Sequence, residues 1–209
     1  RLSPAAARRL GEGERLARSG AWTGWEPTQL RGMSLEGRTL GVIGAGRIGR
    51  EVARRAPAFG MRVVYTDRQP AAELERDVHA RLVPLEELLA HADVVTIHVA
   101  LTSRTHHLLD AAALARMKRG AMLVNTSRGA VVDEDALVAA LRDGRLRGAG
   151  LDVYEREPHI SDALRALDNV VLLPHMGSAT DDARQAMWDV AWRNLRLGLE
   201  GHPLANPVA

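Results

Sequence analysis

A glycine-rich hexapeptide carries the clearest chemical signal in this sequence. It reads Gly44-Ala45-Gly46-Arg47-Ile48-Gly49, directly after a short apolar run and at the start of a helical pattern. In such a motif one glycine permits a tight turn, one lets a phosphate approach the backbone, and one permits close packing of helix on strand. Free amides and the helix dipole favour an anion there. We therefore assign Gly44, Gly46, Arg47, Ile48 and Gly49 to a pyrophosphate-binding turn.

An acidic residue stands at the end of the next apolar run. Asp67 follows Gly49 by eighteen residues, where a carboxylate can accept hydrogen bonds from both ribose hydroxyls of NAD. Its neighbour Arg68 could pair instead with the 2′-phosphate of NADP. The turn and the acid together predict a dinucleotide cofactor. Asp67 favours NAD, and Arg68 leaves NADP open as an alternative.

Three further side chains follow later apolar runs and suit chemistry on a bound substrate. They are a cation, Arg128, a carboxylate, Glu157, and an imidazole, His175. Hydride transfer to a carbonyl carbon leaves negative charge on the oxygen, which a guanidinium can stabilise and an imidazolium can protonate. A carboxylate beside the imidazole favours its charged form. The set is suited to reduction of a 2-oxo acid.

These residues can form one site only if the secondary structure brings the ends of several strands to the same edge of a sheet. Apolar runs without strict alternation predict strands covered on both faces, at Thr39 to Ile43, Met61 to Thr66, Val94 to Val99, Ala121 to Asn125, Ala149 to Val153 and Val170 to Leu173. Helical patterns lie around and between them, at Ala5 to Ser19, Arg47 to Ala58, Leu85 to Ala90, Ala111 to Met117, Glu134 to Arg142 (N-capped by Asp133) and Asp181 to Glu200. The alternation predicts an α/β fold, a doubly wound parallel sheet of the Rossmann type flanked by helices. We divide the chain into an N-terminal helix and arm (1–30), a dinucleotide-binding domain (31–200) and a tail (201–209).

Composition excludes several other classes of protein. The 209 residues are 46% hydrophobic and 26% charged, which suits a globular domain with a real core. The absence of cysteine excludes disulfides, thiolate catalysis and cysteine metal sites. Acids and arginines are intermixed at a net charge of +2, so we expect no nucleic-acid partner.

The remaining sequence features predict no metal and no membrane contact. No apolar run is long enough for a membrane span, and no signal peptide is visible, so we expect a cytoplasmic protein. The adjacent His106 and His107 are expected in a solvated turn. No mutual metal-binding spacing is shown by the histidines at positions His79, His91, His98, His159 and His202.

The sequence resembles the D-isomer-specific 2-hydroxyacid dehydrogenase family. The resemblance runs from about Arg8 to Val208 and rests on four segments in the family's usual order: Leu40 to Gly49, Met117 to Val132, Gly148 to Pro158 and Leu173 to Thr180. Within the family, Tyr65 to Pro70 and Leu173 to Thr180 are most similar to the glyoxylate/hydroxypyruvate reductase branch. It implies NAD(P)-dependent reduction of a small 2-oxo acid to a D-2-hydroxy acid.

The resemblance also implies roles for individual residues. Arg128 would be the substrate-binding catalytic arginine, Glu157 the partner carboxylate and His175 the proton donor. Residues near the cofactor would be Thr102, Thr126, Asp152, which would lie by the nicotinamide carboxamide, and Gly177.

The chain departs from the family at its start. Only 38 residues precede the first predicted strand, whereas the family carries a further substrate domain, and the opening Arg1 to Ala7 lacks the apolar helix expected there. We expect a chain truncated to the NAD-binding domain, with intact cofactor binding and weak or no turnover alone. The alternatives are a dinucleotide-binding module or an inactive remnant of the family.

The four tryptophans form two pairs with different expected surroundings. Trp188 and Trp192, four residues apart on one helix, are expected in the core. Trp22 and Trp25 lie in the predicted arm, where exposed aromatic side chains suit a partner surface. Family members dimerise through this region, so the resemblance implies a homodimer.

Overall fold

The computed structural model describes residues 2–207. The chain forms two compact units, one ending at Pro174 and one beginning at His175. Arg1 and residues 208 and 209, which the predicted divisions include, lie outside the described residues. The division at residues 30 and 200 stays a prediction.

A parallel sheet organises the first unit. Within residues 2–207 it has seven strands in the order β3-β2-β1-β4-β5-β6-β7. The strands are β1 Thr39–Ile43, β2 Arg62–Thr66, β3 Arg81–Leu82, β4 Val94–Ile97, β5 Met122–Asn125, β6 Gly148–Leu151 and β7 Val170–Leu172. Every residue of β4, β5 and β6 is buried, because helices cover both faces. The predicted doubly wound fold is confirmed.

Helices alternate with these strands. They are α1 Leu2–Ala7, α2 Leu10–Ser19, α3 Arg47–Arg55, α4 Ala72–Val78, α5 Leu85–His91, α6 Ala111–Arg116, α7 Glu134–Arg142 and α8 Asp162–Arg165, with α9 Asp181–Leu199 in the second unit. One core contains buried leucines of α5, α6 and α7, and the other contains side chains of α1, α3 and α4. Asp133 caps α7 as predicted, because its carboxylate accepts a hydrogen bond from the Ala136 amide at 2.9 Å.

The N-terminal region differs from its prediction. The single helix expected over Ala5 to Ser19 is two helices, since Arg9 between them has a left-handed backbone with φ 54°. A helix does form within Arg1 to Ala7, contrary to expectation: in α1, Leu2 is buried, and a Cβ added to Gly150 of β6 would lie 2.7 Å from it. The missing side chain of Gly150 therefore makes room for α1 on the sheet.

The second unit also corrects a prediction. Trp188 and Trp192 of α9 are 63% and 64% exposed, so they are not core residues. Within the described part of this unit, α9 is the only helix or strand, and no second element is present to bury its apolar side. Among the described helices, none is both long enough and apolar enough to cross a membrane.

Candidate active site

The glycine turn joins β1 to α3, and its three glycines meet different surroundings. Gly44 has φ 93°, and a Cβ there would lie 2.8 Å from the carbonyl oxygen of His98. A Cβ on Gly49 would lie 2.0 Å from the carbonyl oxygen of Gly44. Gly46 faces open space, with nothing within 4 Å of an added Cβ. Two glycines are thus required by packing, and the third leaves the backbone open to a ligand.

Asp67 lies against this turn from the end of β2. Its Oδ2 accepts a hydrogen bond from the Ala45 amide at 2.6 Å, and its Oδ1 accepts one from the Arg68 amide at 2.6 Å. These bonds hold the carboxylate at the rim of the turn, although its side chain remains exposed. The acid and the glycines therefore share one binding surface.

A cleft of about 530 Å³ opens at the carboxyl ends of β1, β2 and β4. Five of the predicted cofactor residues line it: Gly44, Gly46, Asp67, Arg68 and Thr102. Gly49 is buried under the turn, while Arg47 and Ile48 are exposed in the first turn of α3. A glycine cradle with free space over Gly46 fits the pyrophosphate of a dinucleotide.

Several residues of this cleft were not predicted from the sequence. Arg104 adds a second arginine, with Arg68, to the lining of the cleft, and the remaining side chains include Leu85, Val99 and Leu108. His98 also lines the cleft, and its Nε2 lies 3.0 Å from the Thr96 hydroxyl oxygen. Burial lowers the pKa of His98 to about 4, so its ring is neutral near pH 7. For His98, Val99, Arg104 and Leu108, the signal that could have found them is their place after β4, at the ligand-binding edge.

Arg128 stands on a turn that a buried amide holds in shape. Asn125, 1% exposed at the end of β5, donates from Nδ2 to the Arg128 carbonyl at 3.0 Å. Its Oδ1 accepts from both the amide and the hydroxyl of Ser127, each at 3.0 Å. The backbone is thereby fixed while the Arg128 side chain projects to the surface. Thr126 lies within the same turn, partly buried.

The turn that carries Arg128 packs directly on the loop that carries Glu157. A Cβ on Gly129 would lie 1.8 Å from the carbonyl carbon of Tyr154, so only glycine allows this approach. The Glu157 carboxylate turns back on its own loop, where its Oε1 accepts a hydrogen bond from the Tyr154 amide at 3.0 Å. The structure thus brings the Arg128 and Glu157 loops together.

Two buried residues after β6 support these loops. Asp152 is buried immediately after β6, and its amide donates to the Asn125 carbonyl at 3.0 Å. The Tyr154 hydroxyl donates to the Leu173 carbonyl at 2.9 Å, and burial raises the pKa of this phenol to about 12. Tyr154 therefore ties the Glu157 loop to the segment two residues before His175.

His175 and Gly177 belong to the second compact unit. Both are exposed, and His175 has a left-handed backbone with φ 52°. The pairing of His175 with Glu157, and the place of Gly177 at the cofactor, stay predictions.

A Rossmann sheet with a glycine cradle, an acid at the end of β2 and an open cleft between them defines a dinucleotide-binding domain. Residues 2–177 match the sequence profile of the "D-isomer specific 2-hydroxyacid dehydrogenase, NAD binding domain" family. The chain belongs to this family, as its sequence resemblance predicted, and the cofactor of the matched domain is NAD.

Individual relatives agree with the family assignment. Glyoxylate reductase of Thermococcus onnurineus is 48% identical over 195 residues, which cover 91% of this chain and 58% of that protein. The crystal structure of a glyoxylate reductase from Paecilomyes thermophila is 42% identical with a TM-score of 0.87, covering 95% of this chain and 60% of the other. D-lactate dehydrogenase of Aquifex aeolicus, solved with NAD and lactic acid, is 31% identical with a TM-score of 0.86, covering 96% and 64%. The chain thus spans about three-fifths of the length of these relatives.

Proposed function

We propose that the enzyme to which these residues belong reduces a small 2-oxo acid, of the glyoxylate or hydroxypyruvate type, to the D-2-hydroxy acid. The observation that carries the proposal is the packing of the Arg128 and Glu157 loops on each other, on the same sheet edge as the dinucleotide cleft. A dinucleotide site alone would not need a cation and a carboxylate on adjoining loops. The similarity to two glyoxylate reductases supports the substrate class.

NAD is the cofactor that best fits the Asp67 carboxylate. Gly46 leaves space for the pyrophosphate, and Asp67 at the rim can accept hydrogen bonds from the ribose hydroxyls. Arg68 and Arg104 line the same cleft and favour phosphate groups, so we propose NADP as a weaker second cofactor. When bound, the reduced nicotinamide supplies hydride to the carbonyl carbon of the substrate.

The chain's own residues handle the charge and the proton. The Arg128 guanidinium binds the substrate and stabilises the negative charge that develops on the carbonyl oxygen. The His175 imidazolium donates a proton to that oxygen. Glu157 stabilises the charged ring and sets which nitrogen faces the substrate. Asp152 would hold the nicotinamide carboxamide, and Thr102, Thr126 and Gly177 would complete the cofactor site.

We also propose a cytoplasmic homodimer. The partner surface would be the arm that bears Trp22 and Trp25, which are 56% and 80% exposed. Large exposed aromatic side chains close together favour burial against another protein surface. Sedimentation of the wild type and of Trp25→Ser tests this proposal, since loss of the dimer is expected in the variant only.

The test of activity is NADH and NADPH oxidation with glyoxylate, hydroxypyruvate and pyruvate, on the chain and on the whole encoded protein. We expect the chain alone to bind NADH with weak or no turnover. In the whole protein, Arg128→Ala should lower kcat by about 100-fold to 1,000-fold, and His175→Asn by about 100-fold or more. Arg119→Ala is the matched control, since Arg119 is exposed near the opposite end of β5.

Two results would count against the assignment. A wild-type kcat in Arg128→Ala would refute the catalytic role proposed for Arg128. A whole protein that binds NADH but reduces none of the three acids would favour a dinucleotide-binding module or an inactive remnant.

A further inference from the structure

Outside the cofactor cleft, the fold brings two histidines and a glutamate together. His106 and His107 lie in the loop after β4, and Glu155 lies in the loop after β6, 48 residues from His107. One nitrogen of each ring and one carboxylate oxygen all lie within 4.8 Å of one another. None of the three residues lines the cleft described above. Sequence spacing could not reveal this group, because Glu155 reaches the histidines only through the fold.

The group is held in place before any ligand binds. His107 Nε2 lies 3.0 Å from Glu155 Oε1, and the two imidazole rings stack with centroids 4.1 Å apart. The second oxygen of Glu155 accepts from the Glu134 amide at 3.3 Å, while the Glu155 amide donates to the Glu134 carboxylate at 3.2 Å. The His107 amide donates to the Ala130 carbonyl at 2.8 Å. Backbone anchors of this kind orient ligands around metal ions.

The electrostatic surroundings also favour a cation. Beside His107 and Glu155 is a hollow of about 270 Å³, whose lining includes the carboxylates of Asp133, Glu134 and Asp135. The basic residues of the lining, besides His107, are Arg156 and His159. His106 is exposed, so an ion can reach the group from solvent.

We propose that His106, His107 and Glu155 form a zinc-binding site. Two imidazole nitrogens and one carboxylate oxygen are a donor set that suits Zn²⁺, with water in the fourth position. Donor atoms around a tetrahedral zinc lie about 3.4 Å apart, so rotations of the exposed His106 side chain and small shifts of the others complete the geometry. The bound ion replaces the direct contact between His107 and Glu155.

A zinc ion at this site would join two loops at the ligand-binding edge. Glu155 is adjacent to Tyr154, whose amide donates to Glu157, and His107 is bonded through Ala130 to the turn that carries Arg128. The ion would restrain both loops without touching the substrate. The proposal does not depend on the assigned reaction, because zinc binding is measured without cofactor or 2-oxo acid.

The test is calorimetric titration of ZnCl₂ into the tag-free, chelator-treated protein. We expect one zinc per chain and a melting temperature that rises by about 5 to 10 °C at a hundredfold excess of zinc over the Kd. The variants His106→Asn and Glu155→Gln should each bind zinc at least about tenfold more weakly. His202→Asn, which removes another exposed imidazole, should bind like the wild type.

His106→Asn is the decisive variant, because it leaves the hydrogen bond between His107 and Glu155 in place. If the three residues serve only to make that hydrogen bond, zinc binding will be the same in His106→Asn and in the wild type. This result would overturn the proposal. Melting curves without metal separate misfolding from ligand loss. If a variant is less stable without metal, Co²⁺ provides a second test. We expect the visible absorption spectrum of tetrahedral Co²⁺ in the wild type and its absence in His106→Asn.

Discussion

The same substitution at two glycines three residues apart should have opposite consequences. In Gly49→Ala the new Cβ would lie 2.0 Å from the Gly44 carbonyl oxygen and 3.1 Å from its carbonyl carbon, and these are backbone atoms, which cannot move aside as a flexible side chain could. We expect this variant to lose about 3 kcal/mol or more of unfolding free energy, a fall in melting temperature of about 6 to 12 °C. In Gly46→Ala the Cβ enters open space, and the backbone, with φ −70°, accepts alanine. Its stability should change by no more than about 0.5 kcal/mol.

Among the folded proteins, we expect Gly46→Ala to lose more cofactor affinity than Gly49→Ala, the reverse of their order in lost stability. The Cβ of Gly46→Ala occupies the space through which a pyrophosphate must approach the turn, so NADH affinity should fall at least about tenfold, or about 1.4 kcal/mol. Urea denaturation gives the stabilities, and NADH calorimetry gives the affinities of both variants. Wild-type affinity in Gly46→Ala, or equal stability losses in the two variants, would refute the assignment of Gly46 to the ligand and Gly49 to packing.

Two further predictions concern the same cleft. Asp67→Ser should weaken NADH by about tenfold to a hundredfold while NADPH is affected less, because a carboxylate that repels a 2′-phosphate is removed beside Arg68; equal losses by calorimetry would contradict this. For His98, the folded pKa of about 4 lies below an unfolded value of about 6.5, so the unfolded chain binds more protons as pH falls. Stability should drop by about 2 kcal/mol between pH 7 and pH 5, a decrease absent in urea denaturation of His98→Asn; parallel curves would disprove the buried neutral ring.

The strands of the sheet could be predicted from local sequence patterns, because the burial of each strand is reflected in its own residues. Continuous apolar runs specify strands covered on both faces, and β1 has its predicted limits, as does α7. The predicted strand Val94 to Val99 extends past the end of β4, since His98 and Val99 already line the cleft. The α4 helix and the two-residue β3 were missed, because a short, highly charged segment has little apolar pattern of its own.

The prediction for the α9 tryptophans failed for a different reason. Spacing along a helix shows which side chains share a face, but it does not say whether another element covers that face. Trp188 and Trp192 do share the helix and remain exposed. His107, expected in a solvated turn, is partly buried against Glu155, which no pattern near it could show.

The sequence by itself determined the parts of this protein that depend on neighbours along the chain. These are the apolar strands, the glycines of the turn, the acid at the end of β2 and membership of the dehydrogenase family. Only the tertiary structure decided which strand ends share an edge, how Gly129 lets the Arg128 turn approach Tyr154, and where Glu155 meets His107. The physical reason is that propensity and periodicity act over a few residues, whereas a site forms where packing closes loops of twenty to fifty residues and fixes their side chains together.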